Sequence, residues 1–302
     1  MDDHSHIAEQ LHTVRDFIRW GASRFGEEAL FFGHGTDNAW DESVALVLHG
    51  LYLPNDSGPQ VLDARLTSAE KQRVLALLER RISKRIPAPY ITGSAWFCGL
   101  EFMVDERVLI PRSPIAELIE AQFVPWLQKS PERILDLCCG SGCIGIACAY
   151  AFEYAQVDVS DISADALDVA QQNIHLHHMD GQVRALQSDL FQGLADERYD
   201  LIVCNPPYVD EVDFGSMPSE FHHEPSLALA SGEDGLDFTR RLLAQAADHL
   251  NDGGHLVLEV GNSWPALEAA YPQLGFEWVE FERGGHGVCV LNREQLTIIG
   301  NN

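Results

Sequence analysis

Between Arg133 and Val260 short strand-like runs recur, each followed by a longer stretch with helical spacing, and this alternation constrains the fold more than any other feature of the chain. The runs are Arg133-Ile-Leu-Asp-Leu137, Val157-Asp-Val-Ser160, Val183–Gln187, Leu201-Ile-Val-Cys204 and His255–Val260. Leu201 to Cys204 are apolar without alternation, as in a strand covered on both faces. Strands alternating with helices imply an α/β, doubly wound, mostly parallel sheet. Phe276–Arg283 and Val288–Leu291, separated by Gly284-Gly-His-Gly287, read as an antiparallel C-terminal hairpin at the sheet edge.

Upstream the pattern is helical. Apolar residues at Ile7, Leu11, Val14 and Ile18, and later at Val74, Leu75, Leu77 and Leu78, fall mostly at spacings of three and four. Thr67-Ser-Ala-Glu70 is a capping-box signature, and Pro54-Asn-Asp-Ser-Gly-Pro59 reads as a connecting loop. Residues 1–89 are therefore expected to form a small N-terminal helical domain. Residues 90–112, with aromatic and β-branched side chains around glycines, are expected to form a β-hairpin linker, and residues 113–302 the α/β domain. Ser113-Pro114 has the form of a helix start. Trp96 and Phe97 are candidates for a substrate cleft, although aromatic hairpin residues are more often packed.

Composition narrows the partners. The 302 residues carry 46 acidic against 20 basic side chains, a formal charge of −26, which disfavours a protein that grips duplex DNA by its phosphates and suits either a basic partner or a solvated acidic surface. Seven cysteines, four of them crowded at Cys138, Cys139, Cys143 and Cys148, do not suggest a disulfide framework, so a reducing cytoplasmic setting is expected. No Cys-x-x-Cys pair occurs, no metal is expected, and the His175-Leu-His-His178 cluster reads as a surface feature. The opening Met-Asp-Asp-His-Ser-His lacks the pattern of a leader, and no apolar run approaches a membrane span.

The fourth strand ends abruptly at Asn205-Pro-Pro-Tyr208. Two successive prolines cannot continue a ladder, and Pro207 biases Pro206 towards an extended conformation, so the turn is stiff. The Asn205 side-chain oxygen and the Pro206 carbonyl are both acceptors, and together they suit the two N–H groups of a planar amide or exocyclic amine. Such a grip orients a poor nitrogen nucleophile without supplying a strong base. Tyr208 is placed to lie against the planar group.

After the first strand, Gly140-Ser-Gly142 and Gly145 let backbone approach a ligand closely. Asp136 precedes this loop. Asp161, at the end of the second strand, is placed to bind ribose hydroxyls, and Asp189, after the third, to accept from an exocyclic adenine amine. Three acids at three strand ends, beside a loop without a phosphate-binding lysine, suit a nucleoside carrying positive charge.

This constellation resembles the class I S-adenosylmethionine-dependent methyltransferases, with Asn205-Pro-Pro-Tyr208 at the position of the substrate-amide motif of their amino-methylating branch. The resemblance implies a Rossmann-like fold with S-adenosyl-L-methionine across the strand tips, and it places Asp136, Cys138, Cys139, Gly140, Ser141, Gly142, Asp161, Asp189, Leu190 and Asn205 at cofactor-contacting positions. Asn205, Pro206, Pro207 and Tyr208 would carry the catalysis. Pro89-Tyr-Ile-Thr-Gly93, Trp96-Phe-Cys-Gly99, Val108-Leu-Ile-Pro-Arg112, Glu224-Pro-Ser-Leu-Ala-Leu229 and Gly235-Leu-Asp237 further resemble the HemK-type protein-glutamine N5-methyltransferases.

Where release-factor enzymes of that family carry an acidic run after Pro-Arg, this chain reads Arg112-Ser-Pro-Ile-Ala-Glu117. With Gly33-His-Gly-Thr-Asp-Asn-Ala-Trp-Asp-Glu42, this is more similar to the branch acting on large-subunit ribosomal protein L-three, free or in an assembling subunit. A basic protein substrate of that kind agrees with the acidic charge. The competing expectations are a release-factor glutamine methyltransferase, an adenine-N6 nucleic-acid methyltransferase, which would need base flipping and a basic surface, and a non-catalytic ribosome-assembly factor. No membrane association and no direct DNA binding are expected.

Overall fold

The computed structural model describes residues 3–300, and the chain divides into two units: residues up to Ser94 together with Pro218–His223, and Ala95–Met217 with Glu224 onward. The first unit is helical: α1 (Asp3–Gln10), α2 (Val14–Glu27), α3 (Ala39–Gly50), α4 (Ser68–Lys84) and α5 (Ala88–Thr92). Thr13 and Thr67 close capping boxes with Asp16 and Glu70, the second as the sequence led us to expect, and Asn38 caps α3. Phe17 and Ile18 of α2, Leu46 and Val47 of α3, and Val74, Leu75 and Leu78 of α4 lie on the buried faces of their helices and form much of the core.

One charged network lies inside this core. The buried Arg81 guanidinium donates to Glu42 Oε1 at 2.5 Å, to Glu220 Oε1 at 3.2 Å and to the Phe31 carbonyl at 2.7 Å. Burial opposes ionisation of Glu220, but the Phe31 N–H and Arg81 outweigh it and hold its carboxyl below the usual range.

The second unit opens with a two-stranded hairpin, β1 (Ser94–Phe97) and β2 (Leu100–Met103), followed by α6 (Ile115–Glu120). Then come β3 (Arg133–Leu137), α7 (Cys143–Ala151), β4 (Gln156–Asp161), α8 (Ala164–Leu176), β5 (Val183–Gln187), β6 (Tyr199–Cys204), α9 (Glu211–Ser216) and α10 (Asp237–Leu243). The chain closes with β7 (Leu250–Glu259), α11 (Trp264–Ala270), β8 (Glu277–Trp278), β9 (Val288–Asn292) and α12 (Arg293–Gly300). Seven strands form one sheet in the order β5-β4-β3-β6-β7-β9-β8, parallel except for β9, which runs antiparallel to β7 and to β8. Alternate strand residues face opposite cores: Ile134, Val157, Leu201, Val203 and Val257 pack with α6, α7 and α8, whereas Leu135, Ile202, Cys204, Leu256 and Leu258 pack with α10, α11 and α12. Covering on both faces explains why β6 is apolar from Leu201 to Cys204.

Because β3, β4, β5 and β6 are parallel, their C-terminal ends share one edge, with Leu137 level with Ser160 on one side and Cys204 on the other. The three loops and the Asn205 turn must therefore meet there.

Local details differ from the sequence reading. Tyr90–Thr92 belong to α5, started by Pro89 within its first turn and ended by Gly93 at φ 76°, so the hairpin begins only at Ser94. The helix at Ser113-Pro114 starts at Ile115, although Ser113 Oγ still accepts its first N–H at 3.2 Å. Strand β7 reaches back to Leu250 beside Tyr199, and β8 keeps only Glu277 and Trp278. Among the described residues no helix is long and apolar enough to cross a membrane.

Arg81→Ala leaves Glu42 buried without a cation and Glu220 with Arg85 alone, at 3.1 Å. It is expected to cost about 3–5 kcal/mol of stability, read as a lowered urea midpoint for the helical unit by tryptophan fluorescence.

Candidate active site

The loop between β3 and α7 is built from unusual backbone. Cys138, Gly140 and Gly142 all take left-handed φ values of 62°, 52° and 76°, and for Cys138 that conformation is strained. The loop is tied down locally: the Cys139 N–H donates to the Ser160 carbonyl at 3.0 Å, the Gly140 N–H to Asp161 Oδ2 at 3.0 Å, and the Gly142 N–H to the Cys139 carbonyl at 2.8 Å. From α8, the fully buried Asn173 amide donates to the Ser141 carbonyl at 2.9 Å and exchanges hydrogen bonds with the Met103 backbone, fixing the loop against the hairpin. Gly145 has no room for a side chain, since a Cβ would lie 2.3 Å from Val159.

Asp161 Oδ1 accepts from the Ser163 N–H at 2.9 Å; burial pushes its carboxyl up despite that bond. Both oxygens of Asp189 accept from Arg241 of α10, at 2.8 and 2.9 Å. Leu190 is buried with φ 52°, and Ser188 Oγ donates to its carbonyl at 2.6 Å.

These groups surround an open cleft, the kind of concave site in which small ligands bind. Of the residues singled out in the sequence, Cys138, Cys139, Gly140, Ser141, Asp161, Asp189, Leu190, Asn205 and Pro207 line it together. Asp136, Gly142, Pro206 and Tyr208 do not. Asp136 lies beneath the loop: its Oδ2 accepts the Gly145 N–H at 2.8 Å, and its buried Oδ1 has no partner. Trp96 is 54% exposed, Phe97 is buried in the core, and neither reaches the cleft.

The Asn205 side chain forms no hydrogen bond among the described residues. Its turn is instead held from behind. The Tyr208 hydroxyl donates to Glu259 Oε1 at 3.1 Å and Ser263 Oγ donates to the Tyr208 carbonyl at 2.8 Å, while a Cβ on Gly261 would lie 2.5 Å from the tyrosine ring. Burial, then the Glu259 charge, pushes the Tyr208 hydroxyl far above its ordinary pKa. On the opposite wall, Arg112 forms a two-pronged pair with Glu224 at 2.6 and 2.8 Å.

Sequence reasoning missed Glu259, Arg241 and Asn173. A trace of Glu259 was present, as one carboxylate inside the apolar run Leu256-Val-Leu-Glu-Val260. Taken together, the two acids on the wall, the unpartnered carboxylate oxygen beneath and the side-chain-free backbone suit a nucleoside with positive charge, while Asn205 and Pro207 present a rigid polar tip to the same space.

A family model described as Methyltransferase small domain matches residues 120–271. The ribosomal protein uL3 glutamine methyltransferase of Bordetella pertussis is 48% identical over 95% of this chain and 97% of that protein. The protein of the same description from Francisella tularensis subsp. tularensis is 47% identical over 96% of this chain and 93% of that protein. Among solved structures, the hMettl16 catalytic domain in complex with MAT2A 3′UTR hairpin 6 is similar in fold, with a TM-score of 0.50 at 16% identity over 74% of this chain and 81% of that one.

Burial pushes the Asp136 carboxyl up to about 7, with the nearby Asp161 adding to the rise and the Gly145 N–H opposing it. The folded chain thus keeps a proton that the unfolded chain, near the usual carboxylate value, has already lost, so this group's contribution falls as pH rises from about 4 to about 7. Calorimetric melting of wild type and Asp136→Asn is expected to give similar Tm values near pH 4 and a higher Tm for Asp136→Asn at pH 8.

Proposed function

The chain belongs to the ribosomal protein uL3 glutamine methyltransferases, and within that family we propose that it transfers the methyl group of S-adenosylmethionine to the side-chain amide nitrogen of one glutamine in uL3, ribosomal protein L-three. When bound, S-adenosylmethionine supplies an electrophilic sulfonium methyl group. The chain's residues bind, orient and exclude water. Asp161 would accept from the ribose hydroxyls and Asp189 from the exocyclic amine, and the backbone of Cys138–Gly142 would hold the ligand from one side. Asp136 and Asp161 favour its positive charge through a poorly solvated environment.

A glutamine amide nitrogen is a weak nucleophile because its lone pair is delocalised into the carbonyl. Asn205 Oδ1 on the cleft wall and the carbonyl of the next residue, Pro206, itself buried behind that wall, would accept its two N–H groups and hold the nitrogen in one orientation, while Pro207 stiffens the turn and Tyr208 anchors it to β7. No strong base is required, because the nitrogen becomes acidic as its new bond forms. The observation that carries this reading is Asn205 itself: a rigidly mounted amide in the cleft wall whose own hydrogen-bonding groups are left for a ligand. The helical unit is the proposed recognition module for the basic substrate, free or in an assembling large subunit. Cytoplasmic residence follows from that substrate. The acidic charge speaks against a nucleic-acid substrate, which the same turn could otherwise grip by an adenine amine.

Purified protein, labelled S-adenosylmethionine and isolated uL3 test the reading. Wild type is expected to label uL3 at one glutamine and to leave release factor and duplex DNA unlabelled; preferential labelling of either would contradict the assignment. Asn205→Ala is expected to lower kcat about 100-fold with cofactor Kd nearly unchanged. Asp161→Ala is expected to weaken cofactor binding about tenfold or more, measured by titration calorimetry.

A further inference from the structure

Glu259 is a buried carboxylate, 4% exposed, at the C-terminal end of β7. Its strand neighbours are apolar, and Val288 of β9 stands opposite it. Burial pushes its carboxyl up, so the site is an unfavourable one for an acid that serves only to fill space.

The two oxygens of Glu259 go to two different segments. Oε2 accepts from Ser113 Oγ at 2.5 Å, and Oε1 accepts from the Tyr208 hydroxyl at 3.1 Å. Ser113 lines the cleft and its Oγ also accepts the first N–H of α6 at 3.2 Å, so it is fixed on both sides. Tyr208 closes the turn that begins at Asn205, and its ring and carbonyl are already confined by Gly261, Gly235 and Ser263. A Cβ on Gly235 would lie 2.3 Å from the Tyr208 carbonyl oxygen, so the backbone there passes too close to the turn for any side chain. One carboxylate therefore joins the wall at Ser113 to the turn at Asn205.

We propose that Glu259 is a positioning residue for methyl transfer: it fixes Tyr208 and Ser113 at one spacing and so sets the orientation of the Asn205–Pro206 acceptors across the cleft. Glu259 touches neither substrate nor cofactor in this role. The inference rests on the reading of Asn205-Pro-Pro-Tyr208 as the amide-holding turn. A turn displaced by a fraction of an ångström still binds its ligands but loses alignment, so the cost falls on kcat.

The test compares Glu259→Leu, Glu259→Gln, Tyr208→Phe, the double variant Glu259→Leu/Tyr208→Phe, and Asn205→Ala, each with intact full-length protein and uL3 as acceptor. Glu259→Leu and Tyr208→Phe are each expected to lower kcat about tenfold or more, with cofactor Kd within about twofold of wild type and a modest fall in Tm, since each leaves a buried oxygen without its partner. Glu259→Gln, which keeps an acceptor and a similar shape, is expected to restore most of the turnover. The double variant is expected to be no slower than the worse single variant, because both changes break one unit. Wild-type kcat in Glu259→Leu, a loss of cofactor affinity equal to its loss of kcat, or multiplicative losses in the double variant would overturn the proposal. If Asn205→Ala turns over normally, the reading of the turn itself fails; if Asn205→Ala is slow and Glu259→Leu is not, only the role of Glu259 fails.

Discussion

Parallel pairing of β3 with β4 and β6 is the constraint on which the functional end of the molecule depends. It brings Leu137, Ser160 and Cys204 level, so that three connections of different chemistry leave the sheet at one edge. No interaction between the loops themselves has to bring them together. The central strands β3, β6 and β7 place apolar residues in the cores on both faces, and the sheet is therefore a rigid mount. Small errors in the placement of an acceptor oxygen are costly in catalysis, and this mount keeps such errors small.

The chemistry at that edge is a matter of charge held in poorly solvated surroundings. Asp136 and Asp161 are both pushed up by burial, and Asp136 keeps one oxygen without a partner. Carboxylates in this condition gain most from a nearby positive charge, and a sulfonium nucleoside brings one. The turn at Asn205 has the opposite character. It carries no charge, and in the function proposed above its two acceptors would discriminate by the presence of paired N–H groups on a planar nitrogen. On the proposed function, binding of the donor and orientation of the acceptor would be divided between separate strand ends.

Much of this was legible in the sequence because it depends on local pattern. The strand ends at Asp161, Asp189 and Asn205, the glycine loop and the Thr67 capping box are each written within a few consecutive residues. The shape of the cleft wall was not, because it depends on pairs distant in sequence: Ser113 with Glu259, Arg112 with Glu224, Asp189 with Arg241. The same holds for Arg81, whose partner Glu220 lies 139 residues away. Tyr208 shows the limit of reading a motif alone. Its aromatic ring suggested a surface for the substrate, whereas the structure seats it among Gly261, Ser263 and Glu259, where it steadies the turn. Helix α5 was missed for another reason: its proline start and glycine stop were present but lay beside a run rich in strand-forming residues.

The most direct test of the central claim is mass spectrometry of uL3 from cells lacking this protein, compared with cells restored by wild type or by Asn205→Ala. The account predicts one glutamine that carries a single methyl group with the wild-type protein and none in the deletion or with Asn205→Ala. Methylation of that glutamine retained in the deletion, or restored by Asn205→Ala, would contradict it.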